Sequence, residues 1–244
     1  MINSIIYMDV PSIGLDVESA YDRIDSLAKR ISNVVPGITE WYGQINTPEQ
    51  EAAEFSDRTL TIHRMTERMR QSLERFPNLT KGAEVHLASD NKPKRTPGLV
   101  ELTYMPAIGR ITLMITKPDA AFGSATTSVV TRIFLELLKE EDVEYAFADV
   151  KDRVSSAAIP VTYRTKYATF PHRRCLGWMS YVPKVVTKEQ LPLAADIIPA
   201  KGGSIIVAVN EPFDLANKEH IKRANQIEMD MNDLGLLAVT DPTF

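Results

Sequence analysis

The chain has 244 residues, of which 44% are hydrophobic and 25% charged, with a formal net charge of −4. That length buries a substantial core without covalent staples, and the single cysteine, Cys175, excludes an internal disulfide or a cysteine-rich structural zinc site. The mildly acidic balance argues against non-specific nucleic-acid binding.

The stretch Met1–Asp9 lacks a basic leader, and Asp9 interrupts its apolar run, so it reads as a first strand. No window reaches the roughly 20 apolar residues of a membrane span and no lipidation motif is present, so a soluble, cytoplasmic protein is expected. Asp16 then caps a helix whose apolar residues Val17, Ala20, Tyr21, Ile24, Leu27, Ala28 and Ile31 recur at three- and four-residue steps, until Pro36-Gly37 ends it. Thr47–Phe55 opens with a cap and a proline, carries Glu49, Glu51 and Glu54 without a basic residue, and reads as a short exposed helix. A longer helix from about Ser56 to Arg75 places Ile62, Met65, Met69 and Leu73 on one face, and Pro77 breaks it.

Three strand candidates follow: Glu84–Ala88, Leu99–Met105 and Arg110–Thr116. The last two form a hairpin across Pro106-Ala107-Ile108-Gly109. Asn91–Pro97, with Lys92, Lys94 and Arg95 among two prolines, is loop-like. A polar passage, Asp119–Thr127, leads to a second strong helix with Val129, Val130, Ile133, Phe134, Leu137 and Leu138 on its apolar stripe. Tyr145–Val150 suits a strand, and Lys151–Tyr167 fits a short helix or an irregular crossing. Leu176–Val182 alternates as a half-buried strand should. The closing unit is a glycine turn at Gly202-Gly203, a strand over Ile205–Val209, and a helix capped by Asn217 that carries Ile221, Ala224, Ile227 and Met231 before Gly235 stops it. This order predicts an α+β fold: a mixed, largely antiparallel sheet with flanking helices. Two related α+β halves, 1–120 and 121–244, would share that sheet and can form one continuous domain.

Chemistry-bearing motifs are few. Cys175 lies near His172, Arg173 and Arg174, whose charge could lower a thiol pKa, yet a small buried residue explains it equally. No Gly-x-Ser-x-Gly elbow is present, and His63, His86, His172 and His220 are scattered without metal-ligand spacing. His220 is expected in the first turn of the last helix, where it can cap or pack. Gly202-Gly203 precedes a strand rather than a helix, so it is a turn and not a phosphate cradle. No catalytic, cofactor or metal residue is therefore assigned. Acidic groups concentrate at Glu49, Glu51, Glu54 and Asp57, which suits steering of a basic protein partner, and equally a solvated face.

Gly177-Trp178-Met179-Ser180-Tyr181-Val182-Pro183, then Gly202-Gly203-Ser204-Ile205-Ile206-Val207, then Pro212-Phe213-Asp214 with Asn217, Glu219 and His220, close on Leu234-Gly235-Leu236-Leu237. In this order they resemble the C-terminal part of a bacterial immunity-protein family, immunity protein 52, found beside polymorphic and secreted toxins. The helix Val17–Ile31 with Trp41-Tyr42 resembles its N-terminal part, and type VI secretion immunity proteins share a similar Gly-Trp strand. The resemblance implies a cytoplasmic, non-enzymatic protein that neutralises a cognate toxin by binding it, with no cofactor. The acidic group Glu49, Glu51, Glu54 and Asp57 is the contact surface chosen from the residues. The alternative is an enzyme or small-ligand binding protein whose site is assembled from residues distant in sequence.

Overall fold

The computed structural model describes residues 2–43, 51–75, 83–91, 96–139, 142–152, 160–241 and 243. The opening strand β1 (Ile2–Asp9) turns Ile6 and Met8 to one side and Tyr7 and Asp9 to the other. In α1 (Val17–Ser32) the Asp16 carboxylate accepts the Ser19 N–H at 2.7 Å, and the predicted stripe from Val17 to Ile31 is the buried one. β2 (Tyr42–Gly43), α2 (Arg58–Arg75), β3 (Val85–Ala88), β4 (Val100–Met105) and β5 (Arg110–Thr116) follow. β4 and β5 make the predicted hairpin, turning through a single 3-10 turn at Pro106–Ile108 and Gly109.

Next come α3 (Pro118–Phe122), α4 (Thr126–Leu137), β6 (Tyr145–Asp152), β7 (Val161–Thr162) and α5 (Tyr163–Lys166). β8 (Met179–Val182), β9 (Asp196–Ala200), β10 (Gly203–Val207) and α6 (Lys218–Asp233) complete the chain. The end of α6 satisfies its last carbonyls by a Schellman arrangement: Gly235 N–H reaches Asn232 O and Leu236 N–H reaches Met231 O, both at 2.9 Å.

One ten-stranded sheet takes strands from both halves in the order β2-β3-β4-β5-β1-β6-β8-β10-β9, with β7 paired to β6 outside that path. The fold is α+β, as expected. The sheet is not mixed, however: every strand pairing among the described residues is antiparallel. β1 lies antiparallel to β5 on one side and to β6 on the other, so the two halves join through antiparallel pairs.

The cross-strand register defines two faces. Tyr104, Ile111, Met8, Ala146 and Tyr181 share one row of the first face. Arg23 of α1 stacks over Tyr104 at 5.3 Å, and the Thr131 hydroxyl of α4 sits 3.9 Å from the Met179 sulfur, so α1 and α4 cover that face. The second face carries Thr103, Thr112, Tyr7 and Phe147 in one row, and Glu101, Met114, Ile5 and Asp149 in the next. α6 packs on its β6 and β8 side, where Glu228 accepts the Leu176 N–H and Asn225 meets the Tyr163 hydroxyl. Over β4, β5 and β1 this face carries Thr103, Thr112, Met114 and Tyr7, which are half-buried, beside the buried Ile5. No helix among the described residues is long and apolar enough to cross a membrane.

Three local expectations are corrected. Residues 51–55 of the Thr47–Phe55 segment are not helical: Glu54 bridges Tyr42 and Phe55 enters a turn; Thr47–Gln50 lie outside the described residues. Phe55 explains the difference, because it is buried, stacks on Tyr21, and donates its N–H to Trp41 O at 2.6 Å. β8 is buried along its whole length instead of half-buried, because helices cover both faces there. The polar passage before α4 contains the short helix α3, started by a proline at its first position.

The β9–β10 turn separates two glycine requirements. Gly202 has φ +75° and open space around it, whereas a Cβ on Gly203 would lie 2.1 Å from Val182 O in the neighbouring strand. Gly202→Ala is therefore expected to cost about 1 kcal/mol of backbone strain, and Gly203→Ala about 3 kcal/mol of overpacking in urea unfolding. Equal costs would contradict the close approach.

Candidate functional site

Of the acidic group Glu49, Glu51, Glu54 and Asp57, the three described members are exposed. Glu49 lies outside the described residues, and Glu51 and Glu54 are exposed beside the β2 edge. The Asp57 carboxylate accepts the Leu60 N–H at 3.0 Å, the bond of a residue that caps α2. Cys175 is no activated nucleophile either. It is 2% exposed, and burial pushes its thiol well above the usual range, so it stays protonated. The adjacent Arg174 points away from it, to Asp9.

His220 is buried at the start of α6, as its position predicted. The Asp214 N–H donates to its Nδ1 at 3.1 Å, which places the ring proton on Nε2, 3.0 Å from Glu211 Oε1. Both ring nitrogens are thus engaged in holding the turn before α6, with none turned to a substrate. Among the described residues no group of three His, Cys, Asp or Glu could hold a metal ion.

A cavity of about 250 Å³ does gather polar groups from across the chain. It opens on the second sheet face where the cover of α6 ends, over the rows Arg110–Asp9–Tyr145 and Thr112–Tyr7–Phe147. Arg110 enters from β5, Arg164 from α5, and Arg174 from the segment before β8. Arg174 Nη1 donates to Asp9 Oδ2 at 2.5 Å, and Arg110 Nε lies 3.7 Å from Asp9 Oδ1. The aromatic floor is continuous: Tyr7 stacks on Phe147 at 5.1 Å, and Tyr145 lies 6.1 Å from Phe147. Arg164 lies over the Phe147 ring at 5.7 Å and Arg174 over Tyr145 at 4.6 Å. Burial pushes the Tyr7 phenol up, with the Asp149 carboxylate adding to the shift and Arg164 and Arg110 opposing it.

Two buried carboxylates fix the walls. Asp149 Oδ1 accepts the N–H groups of Val150 at 2.8 Å and Tyr163 at 3.0 Å, and Oδ2 accepts that of Arg164 at 3.3 Å, which anchors α5 to β6. Glu228, fully buried on α6, accepts the Thr169 N–H and the Leu176 N–H, each at 2.8 Å. It thereby holds the segment that carries Arg173, Arg174 and Cys175. Desolvation raises the pKa of both carboxylates, against the lowering effect of these backbone donors.

Neither a protein-family model nor a curated protein sequence matches the chain. Among solved structures, a Pseudomonas aeruginosa T6SS protein is similar over 94% of this chain and 72% of that one, at 11% identity and a TM-score of 0.49. A likeness that distant carries neither a site nor an activity to this chain. The resemblance to the immunity protein 52 family therefore rests on the quoted residues alone. Within it, Trp178 and Tyr181 are core, as their strand positions required.

Sequence reasoning singled out Arg174 only as a neighbour of Cys175 and missed the cavity. Asp9, Arg110 and Arg164 are separated by long stretches of chain, and no spacing rule relates them. The one available signal was a charged residue, Asp9 or Arg110, at the end of each of two otherwise uncharged strands.

The raised pKa of Asp149 has a definite sign in stability. Its native state holds a proton more tightly than the unfolded chain, so ionisation costs stability as the pH rises from the ordinary value of 3.8 through the raised one. Asp149→Asn keeps one acceptor and loses the other. It should destabilise by about 2 kcal/mol at pH 4, and the deficit should shrink toward neutral pH as the wild type loses its protonated advantage. Guanidinium unfolding at several pH values checks this; a deficit that grew with pH would contradict it.

Proposed function

We propose that this chain is an immunity protein that binds and neutralises a cognate secreted toxin in the cytoplasm, of the polymorphic or type VI class, without catalysis or a cofactor. The resemblance of the Gly177–Pro183, Gly202–Val207 and Leu234–Leu237 stretches names the class. The half-buried part of the second sheet face is the observation that supports binding. Thr103, Thr112, Met114 and Tyr7 form a half-buried surface of mixed polarity on neighbouring strands. A sheet face of this kind offers contact area on a rigid scaffold, with methionine able to adapt to a partner. Glu51 and Glu54, exposed at the far edge, would act on association rate rather than on the contact itself. Asp57 caps α2 and is exposed beside them, so its charge would add to the same effect.

Co-expression with the product of the adjacent open reading frame tests this reading, scored by survival and by co-purification. Rescue with a roughly stoichiometric complex is expected. Within that complex, Thr112→Lys with Met114→Lys should weaken affinity at least tenfold, while Glu51→Lys with Glu54→Lys should slow association and flatten its salt dependence. Absence of toxicity and of any complex would overturn the function; full affinity in the Thr112/Met114 variant would overturn the contact face.

A further inference from the structure

We propose that the cavity lined by Arg110, Arg164 and Arg174 is an oxyanion site that takes a phosphate or carboxylate group. The argument is first one of charge. Among the cavity's lining residues three arginines face one carboxylate, Asp9. Glu144 lies at the rim, 3.9 Å from Arg174, but its side chain is 62% exposed and well solvated. Asp149 lies below Arg164 and is consumed by three backbone donors. Asp9 is hydrogen-bonded by Arg174 and stands at ion-pair distance from Arg110, which leaves one negative charge between two guanidinium groups.

The second argument is donor geometry. Arg110 Nε stands 3.7 Å from Asp9, beyond a hydrogen bond, and the Arg164 guanidinium has no carboxylate partner among the described residues. Guanidinium forks are planar arrays of donors that match two oxygens of a carboxylate or phosphate. Here two of them are aligned by packing on aromatic faces, which reduces the rotamer freedom an incoming anion would otherwise have to freeze. The Tyr7 hydroxyl, kept protonated at neutral pH, adds a donor at the cavity floor. Tyr145 adds none, because its hydroxyl donates to Cys175 O at 2.5 Å.

Third is size. About 250 Å³ has room for a phosphate or a carboxylate on a short tail, and lies below the range of pockets for drug-sized ligands. The aromatic floor suits a tail that is flat or apolar. The site goes beyond the toxin-binding reading and does not depend on it: co-purification of a toxin and saturation by a free anion can succeed or fail separately.

The test follows the arginine Nε–Hε NMR signals of the full chain during titration with inorganic phosphate, and separately with acetate, against chloride at matched ionic strength. The expected result is a saturable shift of the Arg164 and Arg174 signals with at least one of the two probes. Arg110→Gln and Arg164→Gln, both at exposed positions, should each weaken that binding at least tenfold while the remaining spectrum stays folded. Saturation by phosphate alone identifies a phosphate-bearing ligand, and saturation by acetate identifies a carboxylate, including an acidic side chain of a partner. No saturation beyond chloride with either probe, or equal affinity in both variants, would overturn the site.

Discussion

β1 is hydrogen-bonded along nearly all its length on both sides, to β5 from Asn3 to Asp9 and to β6 from Ile2 to Asp9. Among the described residues it is therefore the strand that joins the half-sheets β2-β3-β4-β5 and β6-β8-β10-β9. Its alternation fixes the faces for every other strand, because a shift of one residue would carry Ile6 and Met8 out of the helix-covered core and put Tyr7 and Asp9 into it. The outer edges are protected more simply. β2 is only two residues long, and β9 carries Pro199, which cannot donate to a further strand.

The two faces set by β1 are buried by different means. α1 and α4 close the first with apolar stripes, a solution that needs no specific polar contact. On the second, α6 packs beside residues 163–176, a stretch of short helix and turns in which the N–H groups of Tyr163, Arg164, Thr169 and Leu176 have no strand partners. Glu228 and Asp149 supply the acceptors. A buried carboxylate is costly, and here several backbone N–H groups offset much of that cost, which is why desolvation raises both pKa values without making the groups poor structural anchors. Removing either would leave unpaired donors in an apolar setting, so the carboxylates specify the course of the segment rather than adding to the core.

The cavity is a consequence of this division. Beside α6, Tyr7 of β1 is left half-covered next to the buried Tyr145 and Phe147 of β6, and charged side chains from β5, α5 and the segment before β8 reach over them. Asp149 positions Arg164 through its backbone, and Glu228 positions Arg174 through Leu176 and Thr169. Two buried acids thus hold the basic walls of a surface cavity without neutralising the guanidinium groups that face it. Beyond the cavity the same face continues through the half-buried Thr112, Thr103 and Met114.

Much of the local structure is determined by the residues alone. The stripe Val17–Ile31 with its Asp16 cap, the Arg110–Thr116 hairpin strand, the α4 stripe and the Asn217-to-Gly235 helix each carry their period and their stop signals within one segment. Burial of Cys175, Trp178 and Tyr181, and the packing role of His220, follow from the same local reading. In the described part of Thr47–Phe55, residues 51–55, the glutamates suit a helix, whereas Phe55 is held out of one by contacts with Trp41 and Tyr21 made through tertiary packing. The register of β1 between β5 and β6, the restriction of α6 to half of one face, and the meeting of Asp9, Arg110, Arg164 and Arg174 were decided only in three dimensions. Antiparallel pairing joins residues more than a hundred positions apart, and no local propensity or spacing encodes which strand end will stand beside which.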